Sequence, residues 1–182
     1  MIARLGGAEP GPLLIAIGGL HGNEPSGVLA LRRVAAALAE GPGLRGDVVM
    51  LAGNVGALER GVRFVDHDLN RGWSPERLAS LASRGDLGHG RGDPEDREQI
   101  ELVEAIERSL ASARGPAFLL DLHATSAEGI PFALCRDDPR ARAFSAAFPV
   151  TLVLGLIEAL SSTLAGFLGS RCTAVVVEGG KN

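Results

Sequence analysis

Leu13-Leu14-Ile15-Ala16-Ile17-Gly18-Gly19-Leu20-His21-Gly22-Asn23-Glu24-Pro25 carries both the fold signature of this chain and its first chemically interesting side chains. The continuous apolar run Leu13 to Ile17 is rich in β-formers and reads as a strand buried on both faces, as in a parallel sheet. The glycines then break the strand. Pro25 suits the first position of a helix, where its missing N–H costs nothing. Val28, Leu31, Ala35 and Leu38 follow at helical spacing, and Gly41-Pro42-Gly43 stops the run.

The same alternation extends outward. Asp47 to Ala52 reads as a second strand. The next well-marked helix has Asp93 as a candidate cap, Pro94 at its start, Val103, Ile106 and Leu110 as its apolar stripe, and Gly115-Pro116 as its stop. Phe118 to Leu122 predicts a third buried strand. Phe132 to Leu134 and Thr151 to Leu154 are further strands, with a short helix near Arg140 to Ala147 between them. Ser161 to Gly169 reads as helical, and Thr173 to Val177 as a last buried strand leading into Glu178. Residues 54–92 are less regular and read mostly as a functional loop with one short helix near Ser74 to Ser83. Strands alternating with helices predict an α/β class: three layers, α/β/α, around a central, mostly parallel (mixed) sheet with helices on both faces.

A length of 182 residues supports one well-buried core and leaves little room for a second domain, so residues 1–182 are read as a single domain. The composition, 46% apolar and 22% charged, is that of an ordinary globule. Tyr is absent and aromatics are few, so Leu, Val, Ala and Ile must build the core. A net charge of -4 with no Lys/Arg block argues against nucleic acid or an acidic membrane surface as partner. No apolar stretch is long enough to span a bilayer, and the N-terminus has no signal-peptide pattern. Cys135 and Cys172 form no metal-binding spacing and read as two reduced, buried thiols. Together these features predict a cytoplasmic protein.

In open parallel sheets, ligands bind beyond the carboxyl ends of the strands. His21 follows the first strand, His123 the third and Glu178 the last. His21 and Glu24 are three residues apart across a turn entering a helix, a spacing that lets an imidazole and a carboxylate converge on one ion. Zinc commonly takes two His and one Glu and leaves a fourth position for water. Taken alone, His-x-x-Glu is more simply a turn histidine beside a solvated glutamate. His123, at an independent strand end, shifts the balance towards a zinc site of His21, Glu24 and His123. His89, in Gly-His-Gly-Arg-Gly, reads as an exposed loop residue; His67, in Asp66-His67-Asp68, could be a ligand but reads more simply as a loop residue or a neighbour of the ligands. Asp121, Asp66 and Asp68 are candidates to accept a hydrogen bond from a ligand imidazole and fix its tautomer.

Gly18-Gly19-Leu20-His21-Gly22-Asn23-Glu24-Pro25 resembles the first zinc motif of the succinylglutamate desuccinylase/aspartoacylase family, part of the wider zinc carboxypeptidase-like group. Three more segments resemble that family in order: Arg63 to Arg71 its substrate loop, Asp121-Leu122-His123 the segment of the third ligand, and Val177-Glu178-Gly179-Gly180 that of the catalytic glutamate. The resemblance implies a hydrolase cleaving the amide of small N-acyl amino acids, with one Zn2+ per chain held by His21, Glu24 and His123. It further implies that Arg63 polarises the scissile carbonyl and that Asn70 and Arg71 hold the substrate α-carboxylate. Glu178 is then the general base on a zinc-activated water, and a homodimer is compatible with the family.

Without the His/Glu/His set, Arg63 and Arg71 would read as surface arginines paired with Asp66 and Asp68, and Glu178 as a strand-end surface acid. Two departures accompany the resemblance. The family's C-terminal β-rich domain, which narrows the entrance, has no counterpart before Asn182. A further substrate-binding arginine, common upstream of the catalytic glutamate, has only Arg171 as a candidate. Two other readings stand beside the deacylase: a zinc carboxypeptidase-like peptidase using the same clamp, and a truncated metal-binding domain without turnover.

Overall fold

The structure, a computed structural model, describes residues 1–41, 43–83, 93–125, 128–160 and 162–181. The predicted alternation is present: β1 (Ala3–Gly6), β2 (Glu9–Gly18), α1 (Ser26–Glu40), β3 (Arg45–Ala52), α2 (Val55–Arg60), a 3-10 turn (Leu69–Arg71), α3 (Pro75–Ser83), α4 (Pro94–Ala111), β4 (Ala117–Thr125), β5 (Phe132–Cys135), α5 (Pro139–Ser145), β6 (Thr151–Leu154), α6 (Leu156–Ala159), α7 (Leu164–Leu168) and β7 (Thr173–Lys181). One seven-stranded sheet has the order β1-β3-β2-β4-β7-β5-β6.

The centre, β3-β2-β4-β7, is parallel, as a strand buried on both faces requires. β1 runs antiparallel to β3, and β5 antiparallel to β7, so the sheet is mixed. The connection explains the reversal at β5. Only residues 126–131 separate β4 from β5, and a parallel return needs a crossover of a dozen or more residues. β1 and α2 were not predicted: Ala3-Arg4-Leu5-Gly6 is too short for a clear alternation, and α2 is a six-residue helix inside an apparently irregular stretch.

Alternation along the strands divides the core in two. On one face, Ala16 and Met50 pack with Leu31, Ala35 and Leu38 of α1, while Ala133, Cys135 and Val175 pack with Ala141 and Phe144 of α5. On the other, Ile15, Ile17, Leu119 and Ala174 pack with Leu102 and Ile106 of α4 and with Leu164 and Leu168 of α7. The result is the expected three-layer α/β/α arrangement. Trp73, which sequence placed in the functional loop, is 1% exposed and belongs to this second core, its ring 6.1 Å from that of Phe167. Both cysteines are free and buried, and burial pushes the Cys172 thiol up to about 11. Among the described residues, no helix is long and apolar enough to cross a membrane. Asp93 precedes α4 without capping it through its side chain, whereas Asp138 caps α5 through the N–H groups of Arg140 and Ala141.

Candidate metal centre and its pocket

The turn after β2 is built by its glycines. Gly19 has φ +75°, a left-handed conformation that L side chains rarely adopt. A Cβ on Gly22 would lie 2.1 Å from the Ala57 carbonyl carbon, so only glycine lets the turn settle on α2. The Gly22 N–H donates to the Arg63 carbonyl (3.0 Å) and that of Glu24 to the His21 carbonyl (3.1 Å), which ties the turn to the loop carrying Arg63.

His21 and Glu24 are each 5% exposed, and His123, on β4, is 7% exposed. Glu24 lies between the two imidazoles: Oε1 is 2.9 Å from His21 Nδ1, and Oε2 is 3.0 Å from His123 Nδ1. The Ala124 N–H donates to Oε2 as well (3.0 Å), and the two rings stand 5.0 Å apart. One ligand atom from each of the three residues falls within 4.8 Å of the others. Two nitrogens and a carboxylate oxygen, buried and converging, are a donor set that fits a divalent transition metal. Burial disfavours charge on both imidazoles, but Asp68 and Glu24 outweigh it at His21, and Asp121 and Glu24 at His123, so both are raised. Burial likewise disfavours the Glu24 carboxylate, yet the imidazoles and the Ala124 N–H hold it well below the usual carboxylate range.

The groups behind the candidate ligands are partly those expected. Asp68 spans His21 and Arg63: Oδ1 lies 3.1 Å from His21 Nε2, and Oδ2 accepts from Arg63 at 3.0 Å. Arg63 also comes within 3.6 Å of Glu24. It is therefore neither a plain surface arginine nor a free one. Asp121 is 1% exposed, with Oδ1 3.2 Å from His123 Nε2 and no well-formed hydrogen bond to either oxygen. Asn70 lies with Nδ2 3.3 Å from the same nitrogen, while its Oδ1 accepts the Leu164 N–H (3.0 Å). Asp66 is exposed and its backbone N–H is held by Glu95, so it does not join the ligands. His67 lies elsewhere, facing Asp93 and Asp96, where Arg77 donates to both His67 and Asp96 and fills the place of a cation. His89 falls outside the described residues.

A cavity of about 370 Å³ opens over this group, and His21, Glu24, Arg63, Asn70, Arg71, His123 and Glu178 all line it. His123 and Glu178 lie within β4 and β7 rather than beyond their ends, because both strands run longer than the apolar runs indicate. Cross-strand pairing sets them side by side. Burial raises the Glu178 carboxyl, with Glu24 and Asp121 adding to the shift and the two imidazoles opposing it. Arg71 is exposed at the mouth, donating to the Asn70 carbonyl (2.9 Å), and pairs with no carboxylate among the described residues. Arg171 is not in the pocket: it is exposed and bidentate to Glu107 at 2.5 and 2.8 Å, so it is no substrate-binding arginine here.

Sequence reasoning missed the supports of the loop that carries Arg63 to Arg71. Glu95, 0% exposed, accepts from Asn54 Nδ2 (2.8 Å) and from the N–H groups of Val65 (2.6 Å) and Asp66 (3.1 Å). Gln99 donates to the Gly72 carbonyl at 2.8 Å. The only available signal was a pair of polar residues on the α4 face that turns inward.

This architecture has known counterparts. The profile of the family described as the succinylglutamate desuccinylase/aspartoacylase catalytic domain matches residues 10–178. The human N-acyl-aromatic-L-amino acid amidohydrolase (carboxylate-forming) is 34% identical over 122 residues, covering 65% of this chain and 35% of that protein. The succinylglutamate desuccinylase of Pseudomonas paraeruginosa is 33% identical over 121 residues, covering 59% and 36%. The solved structure of the succinylglutamate desuccinylase from Chromobacterium violaceum superposes with a TM-score of 0.72 at 21% identity, over 96% of this chain and 54% of that one. The chain thus spans little more than a third of the length of these curated relatives. With the profile matched from the start of β2 to Glu178, and the fold shared, the chain belongs to the succinylglutamate desuccinylase/aspartoacylase catalytic-domain family.

Proposed function

We propose that this chain is the catalytic domain of a zinc-dependent amidohydrolase that cleaves small N-acyl amino acids to a carboxylate and a free amino acid. The observation that carries the reading is one pocket in which two buried imidazoles share the Glu24 carboxylate beside a second, raised carboxylate, Glu178. The relatives named for hydrolysis of N-acyl amino acids support it.

His21, Glu24 and His123 would hold one Zn2+ per chain. Bound zinc supplies a Lewis acid and brings the pKa of a water down to about 7. Glu178 acts as the general base: it takes a proton from the attacking water as its oxygen adds to the amide carbon. It passes that proton to the nitrogen as the C–N bond breaks, so the amine leaves neutral. A carboxylate raised by burial suits both duties better than a fully solvated one. Arg63, anchored by Asp68, places a cation where the carbonyl oxygen gains charge. Arg71 offers its fork to the α-carboxylate, and Asn70 offers the Nδ2–H that its neighbours leave over.

The test is metal analysis together with an assay of N-acetyl, N-benzoyl and N-succinyl amino acids beside C-terminal dipeptides. Glu178→Gln is expected to keep zinc and lose at least about 10²-fold in kcat. Equal turnover by the variant removes Glu178 as base, and cleavage of dipeptides alone replaces the deacylase with a peptidase.

A further inference from the structure

Asn70 can donate into the pocket in only one of its two amide orientations, and a residue far away in sequence selects it. The Asn70 Oδ1 accepts the Leu164 N–H at 3.0 Å, across 94 residues of sequence, and its Nδ2 lies 3.3 Å from His123 Nε2. A backbone N–H can only donate, so this contact requires the oxygen and turns the –NH₂ group towards His123 and the cavity. Leu164 is the first residue of α7, and the first N–H groups of a helix have no partner within it. Asn70 takes up one of them from outside.

Thr163 sets the direction of that N–H. Its backbone is extended (φ -90°, ψ 161°), and its Oγ1 accepts the Gly166 N–H at 3.2 Å, capping the first turn of α7. The same hydroxyl donates to the Leu160 carbonyl at 2.7 Å, which also accepts the Thr163 N–H at 3.1 Å. The Thr163 carbonyl and the Leu164 N–H belong to one rigid peptide plane. Phe167 holds the oxygen of that plane through its N–H (2.9 Å), and Asn70 holds the N–H. Thr163 is 7% exposed and lines the cavity, yet its hydroxyl is spent within the protein. One residue earlier, the Ser162 carbonyl accepts the Trp73 N–H at 3.0 Å, so the loop is gripped on both sides of Gly72.

We infer that Thr163 is a positioning residue: through the Leu164 N–H it locks the Asn70 amide with its –NH₂ group towards the ligand. Without the hydroxyl the first turn of α7 loses its cap, the Thr163–Leu164 plane can tilt, and the Asn70 amide is free to rotate by half a turn. The rotated amide presents an oxygen, which repels a ligand carboxylate where the –NH₂ group attracts it. The service of Asn70 to an N-acyl amino acid rests on the deacylase reading; its orientation by Thr163 rests on the hydrogen bonds alone.

The experiment compares Thr163→Val, which keeps the branched shape and removes the hydroxyl, with Thr163→Ser, which keeps the hydroxyl. The first readout needs no substrate: the two Nδ2 proton resonances of Asn70 in the 15N-labelled chain, assigned by their loss in Asn70→Ala. They should be dispersed in the wild type and in Thr163→Ser, and in Thr163→Val should move to the positions of a solvated asparagine. The second readout is turnover of N-acetyl-L-phenylalanine and N-succinyl-L-glutamate by the zinc-loaded chain. For whichever is cleaved, KM should rise about tenfold in Thr163→Val with kcat within about threefold, and Thr163→Ser should restore it. In an Asn70→Ala background Thr163→Val should add less than about twofold, because its effect passes through Asn70. Unmoved Asn70 resonances, an unchanged KM, or an effect of the same size in the Asn70→Ala background overturns the assignment. Resonances that respond as expected in a chain that cleaves neither probe count against the deacylase reading and leave the positioning role standing, whereas cleavage with unmoved resonances does the reverse.

Discussion

His123 has two nitrogens with different duties. Nδ1 faces Glu24 at 3.0 Å on the side where a metal would sit, and Nε2 faces Asp121 at 3.2 Å and Asn70 at 3.3 Å. A neutral imidazole that gives Nδ1 to a metal keeps its proton on Nε2, and that proton needs an acceptor. The Asn70 Nδ2 is itself a donor, held in that orientation by the Leu164 N–H on its Oδ1. Asp121 is thus the group able to accept, and neither of its oxygens has a well-formed hydrogen bond with which to offset its burial. Asp121→Asn keeps the size and removes the charge. Metal affinity, measured by competition with a chromophoric chelator, should fall about 10–100-fold. Asp66→Asn, in the exposed loop, should leave it unchanged. Equal affinity in wild type and Asp121→Asn would separate Asp121 from the ligand set.

At the scale of elements, the proposed ligands and the proposed substrate loop are held by different parts of the fold. His21 and Glu24 come from the β2–α1 turn and His123 from β4, whereas Arg63, Asp68 and Asn70 lie on the stretch between α2 and α3, which α4 secures through buried Glu95. Glu95→Gln replaces one acceptor oxygen by an N–H₂ facing backbone donors. It should cost about 1–3 kcal/mol in a urea unfolding experiment. It should weaken N-acyl amino acid binding severalfold with little loss of metal, and an unchanged unfolding midpoint would defeat the assignment. The division also explains what sequence made legible. Strands such as Leu13 to Ile17 and Thr173 to Val177 declare themselves by apolar runs, and the cluster of His21, Glu24 and His123 by the place of its members next to those runs. α2, β1 and the buried role of Trp73 do not, because they depend on tertiary contacts with no periodic trace. The reversal of β5 was readable only from connection length, and the commitment of Arg171 to Glu107 not at all, since the two are far apart in sequence.

At the scale of the whole molecule, the proposed metal centre couples stability to pH, and the sign depends on whether metal is bound. In the metal-free protein His21 and His123 are raised above their ordinary 6.5 by Asp68, Asp121 and Glu24. Their contribution is fully present below about pH 6.5 and is lost as pH rises through the folded values. Glu24 and Asp68 are depressed, so theirs is present above about pH 4 and is lost as pH falls through the lowered values. Metal binding needs both imidazoles neutral, so protons compete with the ion and affinity climbs with pH. An ion at a thousand times its Kd stabilises the folded state by about 4 kcal/mol, several degrees or more in Tm for a chain of this size. The zinc-induced rise in Tm should therefore be smaller near pH 5.5 than near pH 8, while the histidine contribution to the Tm of the chelator-treated protein declines as pH rises above about 6.5. Scanning calorimetry with and without zinc across that range measures both. A zinc-induced shift that stays constant with pH would mean that the ion displaces no proton from His21 or His123 over this range, and the coupling of metal binding to their titration would be overturned.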